Sequence, residues 1–164
     1  MIVVLGAGGQ LGSAFLRLLG RRATGLTRAD LDLTDLDTIS QVLDRLAPEL
    51  VVNCAAYTAV DAAEDDEATA RRVNAEAVEV LARWTHRAGA KLVTFSTDYV
   101  FDGTKETPYV ESDPPRPINV YGETKRAGEV AALATDPEAL VVRTSWLLSS
   151  THPNFVTTIL RLLP

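Results

Sequence analysis

The feature that most restricts the fold of this chain is the alternation of short apolar runs with longer stretches of helical periodicity. Five runs, each four or five residues long, are too short and too apolar for strands that expose one face to water. Such strands are covered on both faces, and the runs span residues 2–5, 23–27, 50–54, 91–95 and 140–144. The sequence therefore predicts an α/β fold, a Rossmann-type doubly wound parallel sheet.

Helical patterns fill the spaces between these strands. Thr34, with Asp37 three residues later, resembles a capping box at the start of the second helix. Right-handed crossovers bring the carboxyl ends of the strands to one edge, where a ligand is expected. A proline-rich loop is predicted over residues 102–119, of a length that is more often functional than idle. The predicted helices cover residues 11–19, 36–46, 67–87, 120–133 and 153–163.

Composition narrows the classes of partner. The 164 residues fit one domain, and 46% hydrophobic with 23% charged residues is ordinary for a globular protein. A net charge of −6, with no Lys/Arg cluster longer than a pair, argues against a nucleic-acid polymer as partner. The single cysteine, Cys54, excludes an intrachain disulfide and fits a reducing compartment. Because no apolar run reaches membrane-spanning length and the N-terminus lacks a basic signal region, we expect no membrane partner and a cytoplasmic location.

A glycine loop follows the first predicted strand and opens the first helix. Gly6, Gly9 and Gly12 give the spacing G-x-x-G-x-x-G. The amides at a helix N-terminus attract phosphate, and glycine lets the phosphate approach the backbone closely. A glycine-rich turn without a ligand is the alternative. The position directly after an apolar strand favours dinucleotide binding.

The end of the second strand bears on the choice of cofactor. An NAD-selective site places an acidic residue there, about 20 residues beyond the loop. In this chain the segment 25–28 carries no acid and ends in Arg28, whose guanidinium can pair with a 2′-phosphate. A solvated surface arginine is the alternative. We expect NADPH rather than strict NADH use, with NADH remaining open, and Asp32 lies slightly too late for the ribose and faces the adenine edge instead.

Three further residues carry the chemistry of a ketone reduction. Thr97 lies at the ligand edge, at the end of the fourth strand, and Tyr121 and Lys125 are four residues apart on one helical face. A phenol can donate the proton that the developing alkoxide needs, and a nearby ammonium lowers its pKa. The Thr97 hydroxyl would orient the carbonyl, and Lys125 could also hold the nicotinamide ribose. Tyr-x-x-x-Lys alone arises by chance on exposed helices, but the glycine loop and the strand-end Thr97 favour the catalytic interpretation.

Six segments make the chain resemble a known family. They are GAGGQLG (6–12), LDLTD (31–35), NCAAYTAVDAAE (53–64), STDYVFDG (96–103), NVYGETKRAGE (119–129) and RTSW (143–146). Together they are similar to the extended short-chain dehydrogenase/reductases and, within them, to the dTDP-4-dehydrorhamnose reductases. The combination of STDYVFDG, YGETK and RTSW is specific to that family rather than to the superfamily.

The resemblance implies a set of site residues. It implies that Thr97, Tyr121 and Lys125 are catalytic. It implies that the sugar nucleotide lies near Val60, Thr97, Trp146 and Asn154. The cofactor residues that follow from the glycine loop, from Arg28 and from the resemblance are Gly6, Gly9, Gln10, Leu11, Gly12, Arg28, Asp32, Leu33, Cys54, Ala55, Ala56, Tyr57 and Lys125.

Two of the matched positions leave alternatives open. The indole of Trp146 can stack on a thymine or on the apolar face of a sugar, or it can fill the core after a strand. Asn74 matches the family's helix asparagine, and it can equally be a buried side chain satisfied by the backbone. We favour the ligand role for Trp146 because it follows the strand end by only a few residues.

The chain also departs from the family pattern. Family members run well beyond 164 residues, so the resemblance implies a sheet without its later strands and without the small substrate lobe. We therefore treat residues 1–164 as one NAD(P)-binding domain and expect self-association through the uncovered apolar surface. Some relatives bind magnesium through a glutamate just after the glycine loop, where this chain has Ala14, so no metal is expected.

The sequence thus leads to one favoured function and two alternatives. The favoured function is NADPH-dependent reduction of the C4 ketone of dTDP-4-dehydro-6-deoxy-L-mannose to dTDP-L-rhamnose. The first alternative is a catalytically idle NAD(P)-binding or regulatory module of the same family. The second is a sugar-nucleotide epimerase or dehydratase, which the presence of Tyr99 rather than a glutamate after Asp98 disfavours.

Overall fold

The computed structural model describes residues 1–163 and contains one parallel sheet with helices on both faces. The strand order is β2-β1-β3-β4-β5, and every neighbouring pair is parallel. The predicted doubly wound sheet is confirmed, and β4 extends two residues beyond the predicted run. The strands are β1 (Ile2–Leu5), β2 (Ala23–Leu26), β3 (Leu50–Asn53), β4 (Lys91–Thr97) and β5 (Leu140–Thr144).

Seven α-helices connect or follow the strands in the described part of the chain. Helix α3 is short and polar and was not predicted. A π-helical segment, Arg72–Glu76, joins α4 to α5, so these three pieces form the single long helix that the periodicity predicted. The helices are α1 (Gln10–Leu19), α2 (Leu36–Leu46), α3 (Val60–Asp65), α4 (Glu67–Arg71), α5 (Ala77–Ala88), α6 (Val120–Thr135) and α7 (Phe155–Leu162).

The main core lies between the sheet and helices α2 and α5. Alternate strand residues point into it, because successive side chains on a strand face opposite sides. On the other face, Phe15 of α1 packs against Phe95 of β4 with 5.8 Å between ring centroids. The core residues with the least exposure include Val3, Leu5, Val51 and Leu92 of the sheet, Ile39 and Leu43 of α2, and Leu81 and Trp84 of α5.

The strand order creates a crevice at the carboxyl edge of the sheet. The chain runs from β1 to β2 on one side and later places β3 on the other side, so the direction of winding reverses at β1. Ligands of open α/β sheets bind at such a switch point. Cys54 N donates to Leu5 O at 3.1 Å, which keeps the two strand ends adjacent as they enter the crevice.

One local prediction, the capping box at the start of α2, is wrong. The expected capping box at α2 does not form, because the Thr34 hydroxyl donates to Asp32 Oδ1 at 2.8 Å and Asp35 is the N-cap residue. Asp32 lies two residues before Thr34 and captures its hydroxyl before the helix begins.

None of the helices within residues 1–163 has the length and apolar character that a bilayer crossing requires.

Candidate active site

A cleft of about 1160 Å³ opens beyond the carboxyl ends of the strands and brings most of the predicted site residues together. Its walls include the glycine loop, the ends of β2, β3 and β4, the first two turns of α6 and the segment after β5. A cavity of this size can take a ligand larger than a typical drug. All predicted site residues line it except Gly12, which is buried.

The glycine loop allows other groups to approach its backbone closely. Gly6 has a φ of +71°, and a Cβ there would lie 2.8 Å from Ala55 N. A Cβ on Gly12 would lie 2.2 Å from Gly6 O, so Gly12 serves the packing of α1 on the loop rather than ligand contact. Gly9 is the N-cap residue of α1 and offers no side chain to the first amides. The N-terminal amides of α1 are therefore directed at the cleft without a side-chain partner at the cap.

Arg28 and Asp32 meet at the far end of the cleft, beside β2. Arg28 Nε donates to Asp32 Oδ2 at 3.1 Å, and the arginine side chain is largely exposed. Hydrogen bonds from the backbone and side chain of Thr34 hold the pKa of Asp32 below its usual value, with a smaller effect from Arg28. The exposed guanidinium is therefore held beside β2 by a fixed carboxylate.

Thr97 and Tyr121 are neighbours at the end of β4. The Thr97 hydroxyl donates to Asp98 Oδ1 at 3.0 Å and accepts from Tyr99 N at 3.2 Å. Burial raises the pKa of the Tyr121 hydroxyl, a hydrogen bond with Thr97 lowers it, and the negative charge of Asp98 raises it again. The net result is a raised pKa, so the phenol keeps its proton at neutral pH.

Lys125 is buried and is hydrogen bonded to the backbone of β4. The side chain is 6% exposed, and Nζ donates to Phe95 O at 2.6 Å. Burial lowers the pKa of Lys125 to about 8. Lys125 is not among the groups that shift the Tyr121 pKa. In this arrangement the ammonium is turned toward β4, and burial has the largest effect on the Tyr121 pKa.

Asn74 links the cleft wall to α6 through hydrogen bonds. Its Oδ1 accepts from Tyr57 N at 2.9 Å, and its Nδ2 donates to Tyr57 O at 3.0 Å and to Thr124 Oγ1 at 3.2 Å. The residue is 1% exposed and belongs to the π-helical segment. Asn74 therefore satisfies the alternative of a buried side chain paired with backbone, and it fixes the loop that carries Tyr57.

The segment after β5 forms the outer rim of the cleft. Trp146 is 68% exposed, and its ring meets Phe155 edge-on at 4.9 Å, so the indole does not fill the core. Asn154 lines the cleft, and its amide is also hydrogen bonded within its own loop, so its contact with the sugar nucleotide stays a prediction. Its Nδ2 donates to Ser149 O and His152 O, and its Oδ1 caps α7 by accepting from Thr157 N.

Two residues of this rim reach the glycine loop and were not identified from sequence. Ser149 Oγ donates to Gln10 Oε1 at 3.3 Å, and His152 Nε2 lies 3.3 Å from Gly8 O. Nothing in the residue spacing pointed to them, because they lie some 140 positions away from the glycine loop along the chain.

Among residues 1–163, no three His, Cys, Asp or Glu side chains are grouped as a metal site.

Comparison with known proteins decides the family. The family described as the RmlD substrate binding domain matches residues 1–164. The chain belongs to this family. The resemblance to the dTDP-4-dehydrorhamnose reductases is thereby confirmed at the level of the family.

Relatives of this RmlD-family chain carry reductase names. It is 47% identical over 163 residues to a dTDP-4-dehydrorhamnose reductase of Burkholderia thailandensis, covering 98% of this chain and 55% of that protein. It is 46% identical over 164 residues to a dTDP-4-dehydrorhamnose reductase of Streptomyces griseus, covering 98% and 54%. The chain thus spans about half the length of the curated relatives it matches.

Solved structures of the family share the fold. A dTDP-4-dehydrorhamnose reductase from Clostridium acetobutylicum superposes with a TM-score of 0.94 at 37% identity, covering 98% of this chain and 58% of that chain. The enzyme from Bacillus anthracis, in complex with NADP, gives 0.93 at 38% identity, covering 98% and 59%. The five-stranded sheet of this RmlD-family chain is therefore the Rossmann-like fold of these structures.

Proposed function

We propose that residues 1–164 form the NAD(P)-binding domain, with the catalytic residues, of a sugar-nucleotide reductase. The reaction is reduction of the C4 ketone of dTDP-4-dehydro-6-deoxy-L-mannose to dTDP-L-rhamnose. One observation carries the proposal: Thr97, Tyr121 and Lys125 line the same cleft as the glycine loop. The reductase names of the relatives and the NADP complex of the Bacillus anthracis structure support it.

The residues present fit a nicotinamide dinucleotide phosphate. Gly6 and Gly9 leave the backbone of the loop open, and the N-terminus of α1 attracts the pyrophosphate. Arg28 would pair with the 2′-phosphate, which favours NADPH over NADH. When bound, NADPH supplies the hydride. Cys54, with its pKa raised to about 12 by burial, stays a neutral thiol in this wall.

The side chains at the end of β4 supply the proton and the orientation. Tyr121 holds its proton at neutral pH, and the phenol donates it to the C4 oxygen as that oxygen gains negative charge. The Thr97 hydroxyl, which lines the same cleft, would position the same oxygen. Lys125 would hold the nicotinamide ribose with its ammonium.

Trp146 and Val60 form the opposite wall of the proposed sugar-nucleotide site. The indole of Trp146 is exposed toward the cleft rim, where stacking on the thymine would cover it. Val60 starts α3 and lines the cleft. Asn154 also lines this part of the cleft, and its amide nitrogen is hydrogen bonded to the backbone of its own loop.

Binding and turnover measured separately test the proposal. Fluorescence titration gives the NADPH affinity, and loss of NADPH absorbance with the sugar nucleotide gives the turnover. In Tyr121→Phe we expect turnover to fall by roughly 100-fold or more, because the proton donor is lost. NADPH affinity should stay near that of the native protein, because the phenol contacts the ketone rather than the phosphates.

Tyr109→Phe is the matched control. The Tyr109 hydroxyl donates to Asp102 in the long loop, outside the cleft. It should therefore keep native turnover. Native turnover in Tyr121→Phe would remove the proposed role of the phenol, and NADPH binding without any turnover in the native protein would favour the idle binding module.

A further inference from the structure

The segment after β5 reaches back across the crevice to the glycine loop. In the strand order β2-β1-β3-β4-β5, two strands, β3 and β4, separate β5 from the strand that precedes the loop. Ser149 nevertheless contacts Gln10, and His152 contacts Gly8, at 3.3 Å in each case. The segment therefore crosses the ends of β4 and β3, over the edge of the sheet where ligands of this fold bind.

Hydrogen bonds within the segment hold the turn that carries these two residues. Asn154 Nδ2 donates to Ser149 O at 2.6 Å and to His152 O at 2.9 Å, and the His152 backbone N–H donates to Ser149 Oγ at 3.2 Å. Because Gly8 O can only accept, the His152 ring carries a proton on Nε2 and donates it to the loop. The turn is thus tied both to its own backbone and to the glycine loop.

The Ser149 hydroxyl orients the side-chain amide of Gln10. Its oxygen accepts from the His152 N–H, and its proton is donated to Gln10 Oε1. An amide oxygen only accepts hydrogen bonds, and an amide nitrogen only donates them. With Oε1 held by Ser149, the Nε2 protons are left for another acceptor, and no protein group within residues 1–163 takes them.

Gln10 stands where such an acceptor is expected. It is the first residue of α1, and it lines the cleft. The free amides at this end of the helix attract the pyrophosphate of a dinucleotide, whose ionised oxygens accept hydrogen bonds. A donor that is already held in place loses less conformational freedom when its ligand binds.

We propose that Ser149 is a positioning residue that orients the Gln10 amide, so that Nε2 donates to the pyrophosphate of the cofactor. His152 supports it as the second contact between the turn and the glycine loop. The inference rests on the proposed function in requiring that the cleft take a dinucleotide, and it does not depend on the chemistry at Thr97 and Tyr121. It assigns the rim after β5 to cofactor binding, together with the loop before α1.

The first test follows the Gln10 amide in the protein without ligand. The chain has two glutamines, Gln10 and Gln41, so nitrogen-15 NMR relaxation of their side-chain NH2 groups compares the held amide with one at an exposed position. We expect the Gln10 amide to be rigid relative to that of Gln41 in the native protein, and as mobile as that of Gln41 in Ser149→Ala. Equal mobility of the two amides in the native protein overturns the proposal.

The second test measures cofactor affinity by fluorescence titration with NADPH. In Ser149→Ala the affinity should fall by about three- to tenfold, because the freed amide must be ordered on binding. Ser149→Thr keeps the hydroxyl and should bind NADPH like the native protein. Ser150→Ala is the matched control, since it removes the exposed serine hydroxyl of the next residue and should leave the affinity unchanged. Native affinity in Ser149→Ala overturns the proposal.

A double-mutant cycle separates positioning of Gln10 from a general loosening of the rim. Gln10→Met removes the amide at similar length and should itself weaken NADPH binding by about tenfold or more, as expected for a donor to an ionised acceptor. If Ser149 acts through Gln10, adding Ser149→Ala to Gln10→Met should cause no further loss. An equal loss with and without the Gln10 amide overturns the proposal.

A ligand without a pyrophosphate completes the test. Adenosine 2′-phosphate should bind the native protein and Ser149→Ala equally, and an equal loss of affinity for this ligand and for NADPH would overturn the proposal. Turnover enters none of these measurements. NADPH binding without turnover would therefore remove the reductase and leave this inference, whereas native NADPH affinity in an active Ser149→Ala would remove the inference and leave the reductase.

Discussion

At the scale of single residues, the hydroxyl of Ser96 stands out behind the proposed catalytic groups. Ser96 is 6% exposed, and its Oγ has no hydrogen-bond partner of normal geometry within the described chain, although its interaction with the Glu129 carboxylate lowers the pKa of that group. It borders a small cavity of about 10 Å³ between α6 and the sheet, which Lys125 and Glu129 also line. A buried hydroxyl without a partner costs about 1–3 kcal/mol. Ser96 therefore lowers the stability of the fold at a place next to Lys125.

Removing this hydroxyl should stabilise the protein. In Ser96→Ala we expect the free energy of unfolding to rise by about 1 kcal/mol, as measured by urea denaturation. Thr94→Val is the matched control on the same strand, because the Thr94 hydroxyl accepts from Asn53 Nδ2 at 3.3 Å and its loss leaves that amide unpaired. Thr94→Val should therefore destabilise the protein. A clear loss of stability in Ser96→Ala would show that its hydroxyl is bonded in solution.

The predictability of individual residues depended on how local their partners are. Arg28, Thr97 and Tyr121 follow strand ends or a helix start, so the chain order alone brought them to one cleft. Asn154, predicted near the sugar nucleotide, also forms a capping box with Thr157 three residues later, which a local pattern could have shown. Arg143 was part of an apolar strand run, and nothing local revealed its ion pair with Glu129, which lies 14 residues earlier on α6.

At the scale of elements, the fit of α6 against its neighbours depends on two glycines. A Cβ on Gly122 would lie 2.2 Å from Tyr99 O, and one on Gly128 would lie 2.1 Å from Asn74 O. Both obstacles are backbone carbonyls, which cannot rotate away as a flexible side chain can. Helix α6 therefore touches the π-helical segment and the turn after β4 backbone to backbone, and this contact sets the position of Tyr121 and Lys125.

Gly128→Ala tests the contact. Alanine favours a helix over glycine by about 1 kcal/mol, so a free helix would gain stability. Here the added methyl group must push α6 away from Asn74, and we expect a net loss of about 1–3 kcal/mol in the free energy of unfolding. Gly8→Ala is the control, since the nearest atom to a Cβ there is 4.0 Å away. Equal stability of the two variants would contradict the tight contact.

Most elements were predictable because their signals are periodic. The apolar runs placed the five strands to within two residues. Helix α3 was missed because six residues with three acids, VDAAED, show no apolar stripe. The π-helical segment was also missed, because a change of hydrogen-bond register leaves the spacing of apolar residues unaltered.

At the scale of the whole molecule, buried ionisable groups give stability a dependence on alkaline pH. Lys125 has its pKa lowered from 10.5 to about 8. Between these values the unfolded chain binds more protons than the folded chain, so the free energy of unfolding rises with pH. Cys54 has its pKa raised from 9.0 to about 12, so the folded chain binds more protons above pH 9 and the free energy of unfolding falls.

We expect the two effects to separate in single variants. Relative to Lys125→Met, the native protein should gain on the order of 3 kcal/mol in its free energy of unfolding between pH 7 and pH 10.5. Urea denaturation at each pH measures the difference. Cys54→Ala should instead lose the decline above pH 9. Parallel curves for the native protein and Lys125→Met would show that Lys125 titrates normally in the folded state.

The backbone at Trp146 has a consequence for how this chain can vary. Its φ of +52° lies in the left-handed region, where a bulky side chain costs about 1–2 kcal/mol and glycine costs nothing. Under selection for folding, substitutions at this position should therefore favour glycine, which should raise the free energy of unfolding. A library selected for folding alone should lose the indole, whereas, under the proposed function, a library selected for growth that depends on the sugar product should retain it.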